Sequence, residues 1–299
     1  MKGKNKMNQT KAYISNITAM LIFGSIGIFV QYIPLNSSEI VAVRTILGSV
    51  FLCTILIIRK NKTDWKQVRK NLIMLIISGI VMGLNWMFLF TAYQYTSVSV
   101  ATLLYYLAPM IVLFLSPMLL KEKLTWPKMI GMVGSIIGMI LVNGTQVGGI
   151  NPQKGFIYGI MAALFYAGLI LLNKKITDVH AVEKTLVQLV SAAIVMSVYV
   201  IWTHSGNWYL LQGTSLLALI IIGFVHTGIA YLLYISSMSY LSAQTIALSS
   251  YVDPMSALIL SAIFLNEHLT MIQILGAILI LGGSAFGEFY RMNSKGENK

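Results

Sequence analysis

Three ionisable side chains stand inside long apolar stretches of this sequence: Arg44, His226 and Asp253. A charge at the centre of a bilayer costs about 2.5–3.5 kcal/mol on insertion scales, so each must face a cavity or a partner. Asp253 directly precedes Pro254, ten residues into the apolar run 243–264, a helical depth of ~15 Å. A carboxylate there can exchange a proton, hold a cationic group of a solute, or satisfy backbone groups freed by the proline. His226 is expected at similar depth in the run 215–236. An imidazole titrating near neutrality suits proton exchange, and a plain buried hydrogen bond is its structural alternative. Arg44, six residues into the run 38–58, is shallow enough to snorkel, or to pair with Asp253 or with a solute carboxylate.

Other polar and aromatic residues fall where they could line the same cavity. Tyr105 and Ser250 each lie four residues before a proline, Pro109 and Pro254, and so share a helical face with it. Asn85, Trp86, Tyr166 and Tyr251 are further lining candidates, with packing or interfacial anchoring as the alternative for the aromatic ones. Pro109 and Pro254 are expected to interrupt their helices at mid-membrane and act as a hinge pair. Glu122 with Thr125, and Glu267 with Thr270, read as structural caps at the starts of the following helices, where Thr270 and Gln273 form a capping-box pattern. The chain has no His-x-x-x-His, no Gly-x-Ser-x-Gly, no phosphate-cradling glycine loop and no clustered acidic pair, so neither a catalytic centre, a metal nor a cofactor is expected. Its single cysteine, Cys53, has no partner for a disulfide or a zinc site.

The elements that must position these residues are legible from composition. Of 299 residues 57% are hydrophobic and 10% charged, and the mean hydropathy is +0.78. Those values exclude an ordinary soluble domain. The apolar runs are about 20 residues long, the length a helix needs to cross hydrocarbon, and lack the alternation of barrel strands. Spans are expected at 12–32, 38–58, 72–93, 98–119, 126–144, 154–173, 181–202, 215–236, 243–264 and 270–290. The net charge of +12 is distributed through loops and tails beside the spans, which argues against nucleic acid as a partner. With ten alternating spans, eighteen loop or tail Lys and Arg residues fall on one side and only Lys154 on the other. By the positive-inside rule both termini are expected in the cytoplasm of a multi-pass protein of the plasma membrane.

The sequence also repeats itself. At an offset of 145 residues, Pro109 to Gly138 aligns without gaps to Pro254 to Gly283 with 11 identities in 30 positions, including Pro109/Pro254, Glu122/Glu267, Gly131/Gly276 and Gly138/Gly283. Tyr95 and Ser97 match Tyr240 and Ser242 at the same offset. Five spans per copy is an odd number, so the second copy is inserted upside down. The expected organisation is a basic tail (1–11), repeat one (12–144), an external linker (145–153), repeat two (154–290) and a short tail (291–299). Inverted halves can exchange conformations around a site at their interface, which is how secondary transporters alternate access. Gly131, Gly134, Gly138, Gly276, Gly283 and Gly287 are expected at close helix packing.

The doubled pattern of Tyr-x-Ser, an apolar helix with a central proline, and Glu-x-Leu-Thr opening a glycine-rich helix resembles the EamA-type members of the drug/metabolite transporter superfamily. The resemblance covers residues 12–290 and is carried most clearly by Glu122-Lys123-Leu124-Thr125 and Glu267-His268-Leu269-Thr270. Arg44 also looks like an arginine many members carry in their second helix. The resemblance implies ten helices in inverted five-helix repeats, a cavity lined mainly by helices 1, 3, 4, 6, 8 and 9, and often export of amino acids or other metabolites. The small four-helix relatives use a carboxylate in their first helix. This chain has none in its first or sixth span, so that coupling scheme does not carry over. The expectation is a secondary transporter for a small polar or amphipathic solute, amino-acid-like and exported, with protons as the candidate coupling ion. A membrane-embedded enzyme or a non-transporting receptor or accessory subunit is the alternative.

Overall fold

In hydrocarbon every backbone donor and acceptor must find a partner inside the protein, and a helix does this within each segment. The computed structural model describes residues 8–30, 32–58, 65–96, 101, 104–143, 151–203, 211–264 and 270–296, and shows helices with no strand among the described residues. In order these are α1 (Gln9–Gly24), α2 (Ile26–Val30), α3 (Ser37–Ile58), α4 (Trp65–Lys70), α5 (Leu72–Tyr95), α6 (Ala108–Leu120), α7 (Trp126–Asn143) and α8 (Pro152–Lys175). There follow α9 (Ala181–Thr203), α10 (Thr214–Ile221), a π-helical segment (Ile222–Ala230), α11 (Tyr231–Met238), α12 (Ala243–Ser249), α13 (Val252–Phe264) and α14 (Met271–Gly296).

Among the described residues six stretches are long and apolar enough to cross a membrane: Gln9–Val30, Ser37–Ile58, Leu72–Ala92, Gln153–Lys175, Ala181–Thr203 and Thr214–Met238. Ala108–Leu120, Trp126–Leu141 and Ile274–Gly283 are shorter apolar helices. Large side chains such as Ile57, Ile73, Met118 and Ile194 face outward, as they do when the surrounding solvent is lipid. The protein is therefore a multi-pass, all-α membrane protein.

Several expected spans are not the continuous rods the apolar runs indicate. The first breaks at Ser25, whose hydroxyl donates to Ile22 O at 2.8 Å. Such back-bonding competes with the helical ladder. The runs around Pro109 and Pro254 break at Tyr106–Leu107 and at Ser250–Tyr251, just before each proline. Pro109 thus stands in the first turn of α6, where a missing N–H costs nothing. It does not interrupt a helix from within; Pro117 is the proline that lies inside α6, which runs unbroken through it. The loop expected at 59–70 contains α4, and α14 continues past the expected end at 290.

The halves meet across a pseudo-twofold axis that the contacts themselves reveal. Where α7 packs on α14, a side chain at Gly138 would strike Gly276 O, and one at Gly283 would strike Gly131 O. With pairs 131/276 and 138/283 related by the repeat, those contacts are reciprocal, the signature of an isologous interface. On the axis, equivalent residues touch each other. Ser135 Oγ donates to Ile280 O at 3.2 Å, and the Tyr251 hydroxyl donates to Tyr106 O at 3.2 Å.

The charges at one end of the bundle are more committed than a count of loop residues conveys. Lys174 Nζ donates to Met238 O at 3.0 Å and Leu241 O at 2.7 Å. Lys184, 1% exposed, donates to Asn173 O at 2.7 Å and Ile176 O at 3.2 Å. Each ammonium thus occupies carbonyls at a helix C-terminus, where a cation is favoured. Glu122 differs from its expected role as well. Its carboxylate accepts from Ala243 N at 2.8 Å and Gln244 N at 3.2 Å, capping α12 of the other half instead of α7. Lys128 Nζ donates to Gln244 Oε1 at 2.7 Å, and Gln244 Nε2 donates to Ser116 Oγ at 2.8 Å, which completes a polar clamp between the halves. Thr125 and Thr270 do precede α7 and α14, and their carbonyls accept from Met129 N at 3.2 Å and Ile274 N at 3.0 Å. Glu267 lies outside the described residues, as does the side chain of Gln273.

Candidate functional site

The two helix breaks deliver their side chains to one place. In the first, Tyr105 and Tyr106 precede Pro109; in the second, Ser250, Tyr251 and Asp253 surround the start of α13. The Tyr106 hydroxyl donates to Asp253 Oδ2 at 2.9 Å, and the rings of Tyr106 and Tyr251 lie 5.8 Å apart. Asp253 therefore takes its hydrogen bond from the opposite half, and neither Arg44 nor His226 is its partner. The backbone role weighed for Asp253 falls partly elsewhere: Ser256 Oγ donates to Asp253 O at 2.8 Å, and Ser250 Oγ to Ala247 O at 2.7 Å.

His226 is 1% exposed and belongs to the π-helical segment, whose looser ladder recurs at functional positions. Its Nε2 lies 2.9 Å from Ser25 Oγ, and its ring meets Phe29 edge-on at 5.2 Å. The histidine is thus tied to the break in the first span. One residue on, Thr227 donates to Ile222 O at 3.0 Å and accepts from Arg44 Nε at 2.8 Å. Arg44 is 3% exposed, and its guanidinium lies 4.3 Å over the Trp86 ring, a cation–π contact. Among the described residues no carboxylate pairs with it.

From Arg44 a chain of contacts runs through a cluster of aromatic rings. Trp86 meets Tyr231 at 5.9 Å and Tyr231 meets Tyr234 at 6.1 Å. The Tyr234 and Tyr166 hydroxyls are 3.2 Å apart. Tyr166 stacks on Tyr105 with centroids 5.0 Å apart and planes 9° from parallel, and Tyr105 is within electrostatic reach of Arg44. The Tyr105 hydroxyl also approaches Asn85 Oδ1 at 3.5 Å, while Asn85 Nδ2 donates to Ala162 O at 2.8 Å. Side chains from α3, α5, α8, α11 and the first break thus converge, with the Tyr106–Asp253 pair beside Tyr105, whose ring is 5.4 Å from that of Tyr106. Chemically the arrangement offers a guanidinium, a carboxylate and stacked π-faces, which suits an amphipathic solute bearing charge. Among the described residues no cluster of His, Cys, Asp and Glu could hold a metal.

Sequence reading missed Tyr106, Tyr231 and Tyr234. Tyr106 was within reach, because at the 145-residue offset it aligns with Tyr251, a residue already singled out. Tyr231 and Tyr234 carry no such signal; they stand one turn apart on an apolar helix and look like ordinary packing. Also missed was the buried set in which Asn16 bonds Ser249 and accepts from Ser237 Oγ at 3.1 Å.

Comparison with known proteins bears on what this site serves. Over 93% of its length the chain is 30% identical to a Bacillus subtilis protein named as the uncharacterized transporter YxxF, covering 89% of that protein. It is 25% identical to a Rickettsia conorii protein named as an S-adenosylmethionine uptake transporter, over 74% of this chain and 75% of that one. A solved crystal structure superposes with a TM-score of 0.83 at 17% identity, covering 96% of this chain and 99% of that one, which speaks to fold alone. The sequence profile of the EamA-like transporter family matches residues 10–144 and again 153–286. With both halves matched, the chain belongs to the EamA-like transporter family.

Proposed function

We propose that the protein is a secondary transporter that moves a small amphipathic, amino-acid-like zwitterion by alternating access, with Asp253 holding the cationic group of the solute. The observation that carries this reading is the meeting of two helix breaks on the pseudo-twofold axis, with a single carboxylate at their junction bonded to Tyr106. Halves related by inversion exchange roles as the site opens to one side and then the other, and interrupted helices provide the backbone at which such motion is absorbed. Pro109 and Pro254 fix the starts of α6 and α13 and are assigned to this rocking.

The aromatic walls favour a solute with an apolar body. The name of the Rickettsia conorii relative, an S-adenosylmethionine uptake transporter, supports a zwitterionic solute and gives uptake where the family resemblance favours export. An alternating-access carrier runs in whichever direction its gradients drive it, and direction is assigned by flux in oriented vesicles. The excess of Lys and Arg in the connections 59–70 and 121–128 supports a plasma-membrane protein with both termini cytoplasmic. In intact cells, a cysteine at Asn151 is then labelled from outside and one at Lys62 only after permeabilisation.

The reading is tested by a thermal-shift screen of the purified protein against a metabolite library, followed by flux of the hits into proteoliposomes. A solute that binds the folded state raises its apparent stability. Saturable accumulation of an unaltered hit is expected. A hit converted chemically would move the protein to an enzymatic role, and binding without flux to a receptor or accessory one.

A further inference from the structure

The geometry points to a carboxylate subsite within the aromatic cluster, built from Arg44, Tyr231 and Trp86, which selects solutes carrying an organic acid group. The inference rests on the transporter reading and adds an anionic end to it, apart from Asp253.

Two buried polar groups motivate the proposal. Arg44 presents five donors in a planar fork, of which Nε is used on Thr227. Among the described residues its hydrogen bonds to protein end there, although the residue is 3% exposed. Tyr231, 2% exposed, has a hydroxyl with no hydrogen-bond partner among the described residues. Leaving such a group buried and unmade is costly, and an orphan in a native structure marks a missing partner.

The two are brought together by sequence spacing. Tyr231 lies four residues after Thr227, the residue that anchors Arg44, and the Trp86 indole touches both the guanidinium and the Tyr231 ring. Tyr231 also packs on Tyr234, whose hydroxyl is taken by that of Tyr166. The circuit Arg44, Trp86, Tyr231, Tyr234, Tyr166, Tyr105 closes on itself, and the unused donors belong to its guanidinium and its orphan hydroxyl. A carboxylate accepts a bidentate bond from the fork and a third from the phenol, a combination that neither an amide nor an ester reproduces. The ring faces accept the carbon skeleton behind it.

The test uses leucine, methionine and isocaproate, which is leucine without its amino group, each against its primary amide, with wild-type protein, Tyr231→Phe and Arg44→Gln. Binding is read by thermal shift and isothermal titration. Each acid is expected to bind about tenfold or more tighter than its amide. Tyr231→Phe should reduce acid affinity several-fold while raising the melting temperature of the unliganded protein, because it removes a buried unmet hydroxyl. A merely structural tyrosine would lower that temperature. Arg44→Gln should abolish the preference for acids. Equal binding of acid and amide, an absence of binding by all three acids, or full acid preference in Tyr231→Phe would overturn the subsite. The isocaproate arm separates this outcome from the Asp253 reading. Isocaproate binding as tightly as leucine removes Asp253 as the cation site and leaves the carboxylate subsite standing, whereas loss of acid preference alongside intact flux removes the subsite and leaves the transporter.

Discussion

The break before Pro109 and the break before Pro254 have the same backbone and different chemistry. Both place a tyrosine three residues before the proline, Tyr106 and Tyr251, and the two rings meet. Yet Ala108 stands where the other half has Asp253, and Tyr105 where it has Ser250. The tyrosines at equivalent positions also do unlike work. Tyr106 donates to a carboxylate and Tyr251 to a backbone carbonyl. The repeat fixes where the chain turns, and departures from the repeat mark what the turn is for. Arg44 teaches the same. At the 144-residue offset that aligns Glu39 with Glu183 its counterpart is Gln188, whose Nε2 spends both its donors on Ser78 and Asn173 at 2.7 and 2.8 Å and whose Oε1 has no partner among the described residues, whereas Arg44 is left with donors to spare among those residues.

The comparison is broken most directly by removing one hydroxyl from each half. Tyr106→Phe strips Asp253 of its protein donor, and transport should fall about tenfold, the effect of losing one hydrogen bond to a charged group. Tyr251→Phe removes a bond to the backbone, so it should lower stability by ~1 kcal/mol and leave the flux per folded molecule near wild type. Equal transport defects in the two variants would erase the distinction.

Packing around the breaks offers a second contrast. A Cβ at Gly24 would run into Asp253 O and Ser256 Oγ, while one at Gly168, its counterpart at the 144-residue offset, would meet only Val81 at 3.9 Å. Gly24→Ala should destabilise by ~1–3 kcal/mol, the usual cost of overpacking, and Gly168→Ala by less than about 0.5 kcal/mol, both measured as melting temperature in detergent. The prolines test what the breaks share. Pro109→Ala and Pro254→Ala should each insert normally and slow transport several-fold, since both set the first turn of the helix that follows. Unchanged rates in both would remove them from the conformational cycle. The smallest effect is expected at the clamp between halves, where Glu122→Ala should cost ~1 kcal/mol through the lost cap on α12, with transport retained.

Much of this fold was legible in the sequence because the bilayer simplifies the code. Where backbone groups cannot bond solvent, a long apolar run must become a helix, and the repeat could be read from Pro109/Pro254 and Gly138/Gly283 because those residues do not follow from apolar bias. Less legible was where a helix stops being regular. Nothing in Ile222–Ala230 distinguishes a π-helical segment from an α-helix, and the contacts that Thr227 and His226 make there, with Arg44 and Ser25, come from segments 183 and 201 residues away along the chain. Partners were the least accessible. Asp253 could be singled out by its cost, but its bond to Tyr106 crosses 147 residues, and Glu122 caps a helix that begins 121 residues later. Spacing along one helix carries no information about a neighbour across an interface.

The central claim, that Asp253 receives the cationic group of the transported solute, is tested by comparing wild type and Asp253→Asn in proteoliposomes with a hit from the metabolite screen. Two modes are measured on the same preparation: accumulation driven by a pH gradient, and exchange of labelled for unlabelled solute at equal concentrations. A carboxylate that holds the solute is needed in both, so both should be lost in Asp253→Asn while insertion and folding are retained. Exchange that survives while pH-driven accumulation disappears would contradict the account and assign Asp253 to the coupling proton instead.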